Sequence, residues 1–334
     1  MKKRFFSVLL LVVVALTAVC LVLTACGDQG SQEETQTLRF SAPEGTPALA
    51  MLRLVTDNKT IGGKNMTYEV VSPSNIAVEM SAEKSDIVIM PINAGANHIR
   101  QGADYKLVSV AVDGSLFMVG KKETAGEITI DEIKGKTIAC IGKAAVPGLV
   151  FRYVMNGNGI KMIEEGTPNA ENSEVLVKYV ADGNAARTLL VGGQADFAVV
   201  GEPAATAFKG ALKLNAEMNM QTAYTALSGK ETYPQAGLFV KKSLSDNEAF
   251  MKELFTALQA SKEWAINNAA SVTEYAKANL YESAVFPEPS IARCAIDVQV
   301  LTETKKTEIV TFLQTIMPKD SQGNAIDWTK VALF

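Results

Sequence analysis

From Thr37 onward, short apolar runs alternate with amphipathic stretches, and partway along the chain the alternation starts again. The runs at 38–43, 66–72, 86–91 and 106–112 have the length and unbroken apolar character of strands buried on both faces. Between them, residues 48–55, 75–84 and 93–102 carry helical spacing. The second series has strands at 136–142, 174–180 and 196–201 and helices at 147–155, 185–191 (behind a capping Asn184) and 204–209, with a further strand over 211–218. This order predicts two α/β units, each a mostly parallel sheet flanked by helices. One more strand at 236–242 precedes helices expected from a Ser245/Glu248 capping box through Ile266 and at 272–280, 290–298 and 305–317.

The two units share a short motif. SDIVIMPIN begins at Ser85 and ADFAVVGEP at Ala195, each on the third strand of its unit. Asp86 and Asp196 open these strands and read as turn or cap residues. The closing turns lie at the carboxyl ends of the strands, where an open sheet binds its ligands and helix starts offer unpaired N–H groups. Two such edges facing one another make a cleft, so each lobe needs its own copy of the device.

Several turns are therefore candidates for its walls. On the first wall are Glu44, Gly45 and Thr46, then Ser72, Ser74 and Asn75, then Pro91 and Asn93. On the second are Lys143, Ala144 and Ala145, and Glu202. Ser115 closes a strand, and Tyr233 is placed to stack on a planar ligand or to pack a hinge. Thr46, Ser74 and Asn93 serve equally as helix caps, and Glu202 equally as a carboxylate favoured at a helix start. Lys143 is either an anion contact or a solvated lysine. All these turns are rich in hydrogen-bonding groups and poor in reactive ones.

The ends set the compartment. Lys2, Lys3 and Arg4 precede an apolar run, which Leu23-Thr24-Ala25-Cys26-Gly27 and a polar tract close. The run is long enough to span a membrane. Leu-Thr-Ala-Cys resembles the lipobox of bacterial lipoproteins, which implies cleavage after residue 25 and lipidation of Cys26. Residues 26–37 then form a flexible tether. Losing the three basic residues takes the formal charge from −4 to −7, which gives no footprint for nucleic acid. Cys140 and Cys294 are either a disulfide or two buried thiols. His98 is the only histidine, and with no acidic cluster beside it no metal site or catalytic triad can be assembled; no cofactor is implied.

Lipobox, Pro-Glu-Gly-Thr-Pro turn, SDIVIMP-x-N and ADFAVVGEPA together resemble the substrate-binding lipoproteins of ABC importers, in the group handling nitrate, sulfonate, taurine and thiamine-pyrimidine precursors. The resemblance implies a periplasmic-binding-protein-like type II fold. It implies a signal peptide at 1–25, lobe one at 38–122 plus 236–334 with the C-terminal helices packed on it, and lobe two at 123–235. Crossovers are expected near 119–127 and 229–238. It further implies a monomer, held by its lipid on the outer face of the cytoplasmic membrane, that passes a small polar solute to a permease. Two rivals remain: an enzyme of the pyrimidine-synthesis or menaquinone type on the same scaffold, and a solute-sensing lipoprotein without transport.

Overall fold

The apolar runs become strands of two separate sheets. The structure is a computed structural model and describes residues 37–334, so Cys26 and the leader lie outside the described residues. In chain order the strands are β1 (Thr37–Pro43), β2 (Thr60–Ile61), β3 (Lys64–Val71), β4 (Ile87–Pro91), β5 (Tyr105–Asp113), β6 (Leu116–Gly120), β7 (Gly126–Glu127), β8 (Thr137–Ile141), β9 (Lys161–Ile163), β10 (Glu174–Val180), β11 (Phe197–Gly201), β12 (Ala216–Asn219) and β13 (Pro234–Lys241). The first sheet is ordered β2-β3-β1-β4-β13-β5 and the second β7-β12-β6-β11-β8-β10-β9. β1 is parallel to β3 and β4, and β8 to β10 and β11. β13, returning late, inserts antiparallel between β4 and β5. This is the two-lobe type II α/β fold.

The repeated aspartates do the same work in both sheets. Asp86 accepts the backbone N–H of Arg39 at 2.9 Å, and Asp196 that of Thr137 at 2.8 Å. In each case the aspartate's own N–H bonds back to the carbonyl of the same partner, at 2.8 Å. Each carboxylate thus clasps the neighbouring parallel strand just before the two begin to pair, where a main-chain donor would otherwise go unpaired.

Five expectations are corrected. The chain enters the second sheet at Asp113–Ser115 rather than near 119–127, because Leu116–Gly120 already pairs with β11 and β12. Residues 211–218 are mostly the end of a helix and a turn, with β12 beginning only at Ala216. Asp182, not Asn184, caps the Gly183–Val191 helix, and Asn247, not Ser245, caps Glu248–Asn267. The helix expected at 290–298 is instead two short 3-10 turns, Glu288–Ser290 and Ala292–Cys294, followed by Ala295 and Val298 at positive φ.

The Glu248–Asn267 helix packs Phe250, Leu254 and Leu258 into the first-lobe core with Phe40 and Leu49. The last helix, Glu303–Ile316, does not belong to lobe one alone. Its Ile309, Phe312 and Leu313 join one apolar cluster with Met90 and Phe239 of the first sheet and Phe151 and Tyr224 of the second lobe. Beyond it, the Leu333 carbonyl accepts from Leu107 N–H on β5. Cys140 on β8 and Cys294 are free and buried. No described helix is long and apolar enough to cross a membrane.

Candidate functional site

A cleft of about 860 Å³ opens where the strand ends of the two sheets meet. Its first wall is Pro43–Pro47, the turn leaving β1. Gly45, at φ +92°, supplies the left-handed bend there, and Pro73 stands beside it. The second wall is Ala181–Asn184 after β10, with Gly201–Ala204 after β11 and the Ala207/Phe208 face of the next helix. A third side is Tyr281, Ser283, Val285 and Pro287, from the irregular segment near the C-terminus. Gln235, at the start of β13, completes the lining.

Of the residues expected from sequence, Glu44, Gly45, Thr46 and Glu202 lie together in this cleft. Thr46 Oγ1 donates to the Glu202 carbonyl at 2.7 Å, a direct bond between the lobes. Asn93 makes a second, outside the cleft lining: its Nδ2 donates to the Ala144 carbonyl at 2.9 Å, and its Oδ1 has no partner among the described residues. Asn93 and Ala144 therefore meet each other, with Pro91 ending β4 beside Asn93 and Ala145 preceding the Val146–Gly157 helix.

The others stand apart. Ser72 and Ser74 hydrogen-bond to one another at 3.1 Å, and of their turn only Pro73 lines the cleft; Asn75 precedes the next helix without capping it. Lys143 pairs with Glu164 at 2.6 Å on the surface, over the ring of Tyr179. Ser115 N–H donates to Gln235 Oε1 at 3.0 Å and Gln235 Nε2 to Ser115 Oγ at 3.2 Å, which pins the two crossing segments together. Tyr233 is wholly buried with its ring stacked on Phe312 at 5.8 Å, so it packs the hinge and offers no open shelf.

Glu202 is already engaged. Oε1 accepts from Thr206 Oγ1 at 2.8 Å and Arg293 Nε at 2.5 Å, and Oε2 from Thr206 N–H at 3.1 Å. Arg293 also forks onto Glu217 at 3.0 and 3.2 Å and lies 3.9 Å over the Phe117 ring. Burial raises the pKa of Glu217, but bonds from Arg293 and Lys209 outweigh it and hold the carboxyl below its ordinary range. Arg293 was not legible as a site residue, because its partners lie on β12 and the β11 turn, far away in sequence.

Each helix start in the cleft holds an acceptor from the protein itself. Gly45 N–H donates to Tyr281 Oη at 3.2 Å, Ala185 N–H to Asp182 Oδ1 at 2.9 Å, and Thr206 N–H to Glu202. The expected grip by exposed main-chain donors is thus partly pre-empted, twice by a carboxylate. Burial, then the charge of Asp182, pushes the Glu44 carboxyl above its ordinary value. Burial pushes the Tyr281 hydroxyl up to about 12. Among the described residues no three His, Cys, Asp or Glu side chains are arranged to hold a metal ion.

Two lobes with a cleft at their facing strand ends define the fold of the extracytoplasmic solute-binding proteins. Solved structures with this fold include an ABC transporter protein from Parabacteroides distasonis, 18% identical over 89% of this chain and 98% of that one at a TM-score of 0.68. The alkanesulfonate-binding protein SsuA from Xanthomonas axonopodis pv. citri, bound to MOPS, is 16% identical over 85% and 94%, at 0.57. The zinc-bound ligand-binding component of an ABC-type import system from Staphylococcus aureus is 11% identical over 89% and 99%, at 0.62. No family model matches the chain. No curated protein matches it.

Proposed function

We propose that this protein is a solute receptor of an ABC importer, tethered through a lipid on Cys26 at the outer face of the cytoplasmic membrane, where it binds a small polar solute between its lobes and delivers it to a permease. The observation that carries this reading is the cleft itself: turns from both sheets converge on one hollow, the Thr46–Glu202 bond joins its two sides, and an Asn93–Ala144 bond outside it also links the lobes. A ligand touching both walls favours the closed arrangement, because only that arrangement offers both sets of contacts. The similarity of fold to importer components supports the same reading.

The enzyme alternative is the weaker. Neither His98 nor either cysteine of the described residues lines the cleft. Burial pushes the Cys294 thiol up to about 12 and that of Cys140 higher still, the opposite of an activated nucleophile. The test is a thermal-shift screen of the purified protein against sulfonates, nitrate, pyrimidines, amines and amino acids. A true ligand at a hundred times its dissociation constant adds about 2.7 kcal/mol of stability. Failure of every class to shift the melting temperature overturns the proposal.

A further inference from the structure

The electrostatics of the cleft select among solutes. Glu44 from the first lobe and Asp182 from the second both line it, one on each wall. The Glu44 carboxylate has no hydrogen bond or ion pair among the described residues, and neither does the exposed Arg187 also lining the cleft. Asp182 spends one oxygen on Ala185 N–H and has no cationic partner. The third carboxylate, Glu202, already holds a guanidinium, that of Arg293. The lining therefore has two uncompensated negative charges and one positive charge at Arg187.

The main chain does not reverse this balance. A helix start carries a partial positive charge of roughly half a unit. At the Gly183–Val191 helix the Asp182 carboxylate already sits on the first turn, so the sum there is negative, while at Ala204–Ala211 the first-turn donor of Thr206 is taken by Glu202, itself paired with Arg293. An anion entering between the walls faces Glu44 and Asp182, against which Arg187 is, among the described residues, the one unpaired cation of the lining. A protonated nitrogen in the same place relieves the repulsion from Asp182 that, after burial, raises the Glu44 pKa. The apolar part of the lining, with Pro43, Pro73, Val200, Phe208 and Val285, suits an apolar body attached to that nitrogen.

We infer that the solute is a cation, an organic molecule carrying a protonated or quaternary nitrogen held between Glu44 and Asp182, and not a sulfonate or another anion. This rests on the receptor reading above. The solute bridges the two lobes through its charge, which makes closure and charge recognition the same event.

The experiment is calorimetric titration of the purified protein with putrescine, agmatine, choline and thiamine, set against butanesulfonate, isethionate, nitrate and neutral sugars. Binding of at least one cation is expected, weakened tenfold or more in Glu44→Gln and again in Asp182→Asn, which keeps the helix cap. Unchanged ligand-free melting of Glu44→Gln, an exposed position, shows that the variant is folded. Binding of sulfonates or sugars in place of every cation overturns the inference and leaves the receptor reading standing. Cation binding that is unchanged in both variants overturns the assignment to this pair. Silence from the whole panel counts against both.

Discussion

Arg293 Nε lies 2.5 Å from Glu202 Oε1, joining the C-terminal segment that pairs with β5 to the turn that follows β11. The pair spans the two lobes without any ligand. The Glu202 side chain is fully buried while that of Arg293 is 30% exposed, so the carboxylate bears most of the desolvation.

Replacing Arg293 by Ala leaves Glu202 buried with only the Thr206 donors. The expected loss is about 2 kcal/mol, less than the 3–5 of a fully buried pair because the guanidinium is partly solvated. Arg293→Lys recovers only part, since one ammonium cannot fork onto Glu202 and Glu217 together. Urea denaturation reads both, and an unchanged midpoint for Arg293→Ala refutes the latch.

Thr46→Val and Asn93→Ala each delete one direct bond between the lobes. Each is expected to cost about 1 kcal/mol of stability. Together they should enlarge the ligand-free radius of gyration in small-angle scattering. Identical scattering from the double variant and the parent would show that these bonds do not hold the lobes together.

Gly114 sits where the chain leaves the first sheet. A methyl group there would lie 1.6 Å from Gln221 Oε1 and 2.7 Å from Tyr233 Cζ. Gly114→Ala therefore displaces Gln221 and strains the Tyr233–Phe312 stack, at a cost of about 1–3 kcal/mol. Melting within a degree of the parent would rule out this close approach.

Asp113 has a pKa pushed up to about 6, by burial first and by Asp297 and Glu308 next, with Lys305 at 3.4 Å opposing. Its charged form is disfavoured on folding. Its contribution is therefore fully present below the unfolded value of about 3.9 and is lost as pH rises through about 6. Relative to Asp113→Asn, the parent should gain about 2 kcal/mol as pH falls from 7.5 to 4. Chemical denaturation of both proteins across that window measures the difference, and a flat or opposite trend contradicts it.

Much of the architecture could be read from the chain because it is local. Apolar runs such as 86–91 and 196–201 are too continuous for anything but buried strands, and the paired Asp86 and Asp196 mark equivalent positions in the two sheets. Sheet membership is not local: Leu116–Gly120 has the same letters in either lobe, and only its pairing with β11 assigns it. The cleft was half legible. Its first-wall turn and Glu202 follow from strand ends, whereas Tyr281, Val285 and Arg293 come from a proline-punctuated segment with no periodicity to read. Asp182 was missed because capping and cleft lining fall on the same side chain.

The closing helix Glu303–Ile316 has a consequence for how the molecule breathes. Phe312 packs against both Tyr233 of the hinge and Tyr224 of the second half, while the tail beyond is stitched to β5. A clamshell with such a belt cannot gape by bending its two connecting strands alone. Were the lobes to part, this belt would have to slide off one shell, and that slippage, rather than the pivot, would limit how wide the mouth opens.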